Sequence, residues 1–254
     1  MSQNPSLSII VPVYNGERRL IAALTALTEF LRPRMTFEII VVDDGSTDRT
    51  AALAEAFAAA NPETKLLRLG ANAGKGAAVR HGMLRAAGDR ACFCDADLPI
   101  PLTELEKLLR ALEQGADVAI ASRTLPGSRI APAPGADRQV FSRLFNGLIR
   151  WLFGLRYRDT QCGLKGFRRK AARAIFSQAR IDGFAFDVEL LLLSDRMGLT
   201  VTEFPVMWDN PSMSTVNIRA QAWPICQDLW RISRNLHLER YGRPAAARNL
   251  VAAK

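Results

Sequence analysis

The stretch FEIIVVDDGSTDRTAALAEAFAAA, residues 37–60, changes period at its centre. Residues 37–44 are nearly continuous in apolar side chains, as in a strand buried on both faces, and 46–60 read as a helix opened by a capping Ser46 or Asp48. The same alternation runs outward in both directions. LSIIVPVY (7–14) reads as a strand and ERRLIAALTALTEFL (17–31) as a helix with apolar residues at helical spacing. KLLRL (65–69), RACFC (90–94) and DVAIAS (117–122) continue the strands, and GKGAAVRHGMLRAA (74–87) and LTELEKLLRALEQG (102–115) the helices. Buried strands separated by amphipathic helices predict an α/β fold with a mostly parallel, helix-covered sheet. Such sheets bind ligands at the carboxyl ends of their strands, where this chain places YNGE, DDGSTD and DAD.

The chain has 254 residues, 48% hydrophobic and 23% charged, which suits a globular fold and excludes a disordered one. No apolar run reaches the roughly 18–20 residues of a bilayer-spanning helix. The start MSQNPSLSIIVPVYNG lacks a basic region ahead of its apolar stretch, so it reads as a first strand and the chain is expected to fold in the cytoplasm. Four cysteines without paired CxxC spacing suggest free thiols, neither a zinc site nor a disulfide framework.

The net charge of +9 is unevenly spread. Residues 123–180 hold thirteen Arg/Lys against Asp137 and Asp159, a local +11, while the rest of the chain sums to −2. Such a segment points to a polyanionic partner. Nucleic acid fits poorly, because the arginines lack an interleaved aromatic platform or a recognised module. Within this segment RTLPGSRIAPAPGAD (123–137) reads as a mobile loop. RQVFSRLFNGLIRWLFG (138–154) reads as a helix with an apolar stripe of Val140, Phe141, Leu144, Phe145, Leu148, Trp151 and Leu152. A second amphipathic element begins near Arg219 and carries Trp223, Cys226, Trp230 and Leu236. Each is either packed on the core or laid in lipid headgroups with Trp and Arg at the boundary.

CFCDADLP (92–99) puts Asp95 and Asp97 one residue apart where a buried strand ends. Two like charges so placed need hydration or a neutralising cation. In chain order, SIIVPVYNGE, VVDDGST, DAD, DTQCGLKGF and FAFDVELL resemble glycosyltransferase family 2. The later pair narrows the resemblance to its dolichyl-phosphate or polyprenyl-phosphate branch, the glucosyl-transferring type especially. The match covers about residues 6–210.

The resemblance implies a GT-A (Rossmann-like) domain over 6–210, with a nucleotide-binding half (6–122) and an acceptor half (123–210), and a C-terminal amphipathic helix and tail over 211–254. It implies an inverting transfer of a hexose, glucose from UDP-glucose first, onto a polyprenyl or dolichyl phosphate. GDP-mannose as donor and a soluble saccharide as acceptor are the alternatives. Mg²⁺ or Mn²⁺ would be held by Asp97, with Asp95 toward the ribose or the metal's waters. Pro99, where mannosyl-transferring relatives often have a polar side chain, leaves a site with more water. Pro12, Tyr14, Asn15 and Glu17 fall at the base pocket with Asp44 on the base, and Lys75, in a Gly-rich helix start, faces phosphate. A lipid monophosphate has its second pKa near 6 and needs little help from a base, so the site's task is to bring two anions together. Arg123, Arg129 and Lys165 are the candidate phosphate clamps. Asp159 is expected nearest the acceptor, as orienter, metal ligand or base. Asp187 and Glu189 open a helix and either cap it or anchor loop arginines. With no bilayer-spanning segment, the chain is expected to be peripheral at the cytoplasmic face of the membrane.

Overall fold

The computed structural model describes residues 4–132, 136–209 and 218–241, except for the side chains of 136–143 and 218–222. In chain order the elements are β1 (Leu7–Val13), α1 (Leu20–Leu31), β2 (Phe37–Asp43), α2 (Thr50–Ala60), β3 (Thr64–Arg68), α3 (Lys75–Arg85), β4 (Arg90–Phe93) and α4 (Glu104–Glu113). They continue with β5 (Val118–Ser122), β6 (Arg129–Ala131), α5 (Ala136–Phe153), β7 (Lys165–Arg168), α6 (Arg169–Gln178), α7 (Phe186–Arg196), β8 (Val201–Pro205), β9 (Met207–Asp209) and α8 (Ile218–His237). The alternation expected over the first 122 residues is present, with helix starts moved inward by up to four residues.

A seven-stranded sheet runs in the order β3-β2-β1-β4-β7-β5-β8. Every residue of β1 and β2 is buried, as the unbroken apolar runs require of central strands covered on both faces. One apolar cluster, with Ile10, Ile40, Phe93, Phe167, Phe176 and Phe186, fills one side. A second, with Ile9, Val11, Ile39, Leu24, Leu27 and Leu108, fills the other.

Strand β7 was not foreseen and runs antiparallel between β4 and β5. The sheet therefore does not divide at residue 122, because a strand from beyond it lies inside the first half. The consequence is positional. An antiparallel strand begins where its neighbours end, so with Phe93 opposite Lys165 the register continues to Asp95 opposite Gly163. Two of the quoted motifs, DAD and DTQCG, meet by this register alone. Gly163 is required there, since a Cβ at this position would overlap the Asp95 carboxylate.

The segment expected to be a mobile loop is partly ordered. Residues 129–131 form β6, which pairs in parallel with β9 as a two-stranded sheet. This small sheet is fastened to the acidic turn, because Asp209 N donates to Pro99 O at 2.7 Å. On α5, Ile149 is buried and Phe145 packs on the core, but Leu144, Leu148, Trp151 and Leu152 are exposed. The expected stripe is thus split between a core-facing edge and an open ridge, and Val140 and Phe141 lie outside the described side chains. On α8, Leu229 and Ile232 are buried while Trp223, Cys226 and Trp230 face out. Among the described residues no helix is long and apolar enough to cross a membrane.

Candidate active site

A cavity of about 610 Å³ opens at the carboxyl edge of β1, β2, β4 and β5, lined by Pro12, Tyr14, Asp44, Lys75, Asp95 and Asp97 among others. The size suits a ligand as large as a nucleotide sugar. Parallel pairing sets its first wall. Val13 is opposite Asp43, so Tyr14 and Asp44 leave their strands side by side, and Asp44 N donates to Val13 O at 2.8 Å. The Tyr14 side is open to solvent. The Asp44 carboxylate accepts from Ala73 N at 2.8 Å and Gly74 N at 2.9 Å, which ties it to the entrance of α3. Burial nevertheless raises its carboxyl above the ordinary value.

Asn15 and Glu17, expected in the base pocket, do not line this cavity. Asn15 has φ +46°, a left-handed conformation that Asn tolerates, and its side chain accepts from Thr47 N at 2.9 Å. Glu17 accepts from Arg49 N at 3.2 Å. Both side chains join the loop after β1 to the loop after β2, a local demand that outranks ligand contact.

Lys75 is the first residue of α3 and its ammonium lies 2.5 Å from Asp95 Oδ1. Burial alone would depress Lys75, but Asp95 and Asp187 outweigh it and hold the ammonium charged above its ordinary range. The start of α3 is fixed by Asp182 O, which accepts from Gly76 N at 2.7 Å and Ala77 N at 3.2 Å. Asp97 is solvent-exposed, and no other side chain hydrogen-bonds or ion-pairs with it among the described residues. The protein around the cavity and repulsion from Asp95 push its carboxyl up.

The opposite wall comes from the loops after β5 and before β7. Asp159 is fully buried and its carboxylate accepts three bonds from Arg123: backbone N at 2.9 Å, Nε at 2.7 Å and Nη2 at 3.0 Å. Burial works against the charged form, yet the Arg123 guanidinium holds Asp159 below the ordinary carboxylate range. Arg123 lines the cavity and Asp159 stands behind it.

Two expected phosphate clamps lie elsewhere. Lys165 is fully buried, and its ammonium donates to Asp187 Oδ1 at 2.6 Å and Cys162 O at 2.7 Å. It cannot reach a ligand in the cavity, because the short β7 that carries it turns it inward against α7. Arg129 is exposed on β6 and does not line the cavity. Among the described residues Glu189 anchors no arginine side chain; it accepts from the backbone of Arg180 and Ile181 and from the Tyr241 hydroxyl.

Among the lining side chains not singled out from the sequence are Arg19, Gln161, Phe184 and Trp208. Arg19 Nε and Gln161 Nε2 are buried donors without a protein acceptor. Arg19 had a faint signal as a cation just before α1. Trp208 had none, since only the β6–β9 pairing brings it here.

Among the described residues the ionised side chains of the lining sum to zero, with Asp44, Asp95 and Asp97 against Arg19, Lys75 and Arg123. A diphosphate entering such a cavity brings charge that no surplus of cations among these side chains meets. Among the described residues no group of three His, Cys, Asp or Glu could hold a metal unaided. The exposed Asp97 carboxylate, beside an Asp95 that is shared with Lys75, fits a hard divalent cation whose other ligands are phosphate and water oxygens. Burial pushes the Cys92 thiol up to about 12 and the Cys162 thiol up to about 11, so neither is poised as a nucleophile.

A family model described as glycosyl transferase family 2 matches residues 8–176. A dolichyl-phosphate beta-glucosyltransferase of Drosophila melanogaster is 38% identical over 225 residues, covering 82% of this chain and 69% of the relative. Its namesake from Saccharomyces cerevisiae is 31% identical over 245 residues, covering 88% and 72%. Among solved structures, glucosyl-3-phosphoglycerate synthase from Mycobacterium tuberculosis, in complex with Mn²⁺, uridine diphosphate and glucosyl-3-phosphoglycerate, superposes with a TM-score of 0.63. It is 19% identical, over 94% of this chain and 81% of that one.

Proposed function

The chain belongs to glycosyltransferase family 2, and we propose that it transfers glucose from UDP-glucose to a polyprenyl or dolichyl phosphate at a membrane surface. The observation that carries this reading is the cavity itself. Its charged lining, which sums to zero among the described residues, sets two carboxylates and a guanidinium locked to a buried acid around one space.

The uracil packs on Tyr14 with Asp44 beside it, and Asp97 and Asp95 would hold a Mg²⁺ or Mn²⁺, which when bound would supply charge stabilisation to the leaving nucleotide. The remaining work falls to the chain's own groups. Arg123, Arg19 and Gln161 present donors to phosphate oxygens, and two of these donors have no protein acceptor to lose. Lys75 offsets Asp95 and stands where it can follow the diphosphate.

An oxygen of the acceptor phosphate forms the new bond to the anomeric carbon. The bond from that carbon to the diphosphate oxygen breaks, and its electron pair leaves with the nucleotide. Approach from the opposite face inverts the centre. A phosphate acceptor is already largely dianionic at neutral pH, so no proton needs to be taken. Reading Asp159 as a positioning residue is supported by its three bonds from Arg123 and its depressed carboxyl, which make it a poor base. Functionally, residues 6–122 serve chiefly the donor and 123–210 chiefly the acceptor, although one sheet runs through both and both line one cavity.

The exposed ridge of Leu144, Leu148, Trp151 and Leu152, with Trp223 and Trp230 on α8, is read as the face that meets lipid at the cytoplasmic side. Arg150, Arg231 and Arg234 on the same helices add attraction to anionic headgroups.

The test supplies radiolabelled UDP-glucose or GDP-mannose with a polyprenyl phosphate and Mn²⁺. Label extractable into organic solvent from UDP-glucose is the expected result. Label from GDP-mannose alone, or a water-soluble product alone, would overturn the reading of donor or acceptor respectively.

A further inference from the structure

Three aromatic side chains line the cavity, and only two have a place in the scheme above or in the packing around α3. Tyr14 stands beside Asp44 at the base end, and Phe184 belongs to the loop that holds the start of α3. Trp208 is different. It lies on β9, a three-residue strand whose position is set from two directions. Its partner β6 carries the chain away from Arg123, with Ile130 opposite Trp208 in the pairing, and Arg129 N donates to Val206 O at 3.0 Å. On the other side Asp209 N holds Pro99 O, two residues beyond Asp97.

The indole is half-buried and joins the apolar cluster that also takes in Leu98 and Leu102 of the acidic turn. The Arg123 guanidinium carbon lies 5.5 Å from the ring centroid. The ring thus lies beside the guanidinium that would face the incoming phosphate and shares one cavity lining with the carboxylates that would face the diphosphate. Whatever lies between two phosphates in a transfer reaction is the group being transferred.

We infer that the Trp208 indole is the platform on which the transferred hexose packs, making it a specificity-determining contact of the donor sugar. This rests on the proposed nucleotide-hexose donor. A pyranose with equatorial hydroxyls presents a face of C–H bonds, whose positive hydrogens complement the negative face of an aromatic ring. Arg123 over the indole fixes the plane of the ring, so the sugar meets a surface already set. A backbone pinned on both sides gives the platform little freedom to move away from the anomeric carbon.

The test separates the sugar from the nucleotide. Wild-type protein is titrated by calorimetry in Mn²⁺ with UDP, UDP-glucose, GDP and GDP-mannose. Trp208→Leu, which keeps an apolar side chain without a ring, and Trp208→Phe are then titrated with the nucleotide and nucleotide sugar that the wild type binds. Trp208→Leu is expected to weaken the nucleotide sugar about fivefold relative to the free nucleotide, with Trp208→Phe recovering at least half of the loss. Equal weakening of both ligands would make Trp208 a structural wall of the acidic turn and overturn the inference. So would unchanged binding of both, or a Phe variant no better than Leu. Binding of neither pair by the wild type would defeat the donor reading in a separate arm, and the inference with it.

Discussion

Replacing Lys165 by Met removes an ammonium that is fully buried and leaves the Asp187 carboxylate, itself 6% exposed, without its nearest partner. The methionine keeps most of the apolar stem, so the loss is electrostatic. Breaking a buried pair from one side costs about 3–5 kcal/mol. Asp187 has one escape, which is to take up a proton, and burial already pushes its carboxyl above 3.8. From an unfolded value near 3.9, that uptake costs about 4 kcal/mol at pH 7, which caps the penalty at roughly that figure. The sign follows from proton counting. In the variant the folded state holds a proton that the unfolded state lacks, so the variant's deficit shrinks by about 1.4 kcal/mol for each pH unit lowered toward 5. Urea unfolding of Lys165→Met at pH 7, 6 and 5 measures both numbers, and the melting temperature at pH 7 should fall by roughly 8–16 °C. Lys165→Met combined with Asp187→Leu should recover most of the loss. A variant within 1 kcal/mol of wild type at pH 7, yet inactive, would refute the burial of this pair and return Lys165 to the phosphates.

Gly163→Ala places a methyl against the Asp95 carboxylate; it should weaken UDP binding in Mn²⁺ about tenfold while costing only about 1 kcal/mol of stability, read by calorimetry and melting. Arg123→Lys keeps the charge but loses the two-point grip on Asp159, so transfer should fall well over tenfold, and a lysine as active as arginine would remove the positioning role. Because Asp159 is held below its unfolded value, its contribution to stability is present above about pH 4 and is lost as pH falls through the folded value. Asp159→Asn should flatten that part of the stability curve, measured by urea unfolding between pH 5 and pH 3. Trp151→Ser, on a side chain 79% exposed, should weaken binding to anionic vesicles about tenfold with no change in melting temperature.

The alternating strands and helices of the first 122 residues were legible because each strand is long, apolar and buried on both faces, and each helix shows its own period. Strand β7 was not, since KGFR is four residues with two cations and gains its strand character only by lying between β4 and β5. The same insertion explains what was misread around it. Lys165 sits in a motif full of polar residues, and nothing local says that its side chain turns inward to Asp187. The stripe on α5 was visible, but apolar residues cover too wide an arc to tell from the sequence which edge packs on the core. Of the site, Tyr14, Asp44, Lys75, Asp95, Asp97 and Arg123 were readable from short motifs at strand ends and do meet at one cavity. Trp208 was silent because its placement depends on the pairing of β6 with β9, segments far apart in the chain, and Gln161 was hidden inside a quoted motif that gave its side chain no role.

Whether one cavity seats a nucleotide diphosphate through a cation held by the acidic pair is decided by anomalous diffraction at the manganese edge, from crystals grown with Mn²⁺ and UDP. One peak bonded to an Asp97 oxygen and to the diphosphate is expected, with the uracil against Tyr14. A UDP seated in this cavity with no anomalous density between its phosphates and Asp97, or a UDP bound elsewhere, would contradict it.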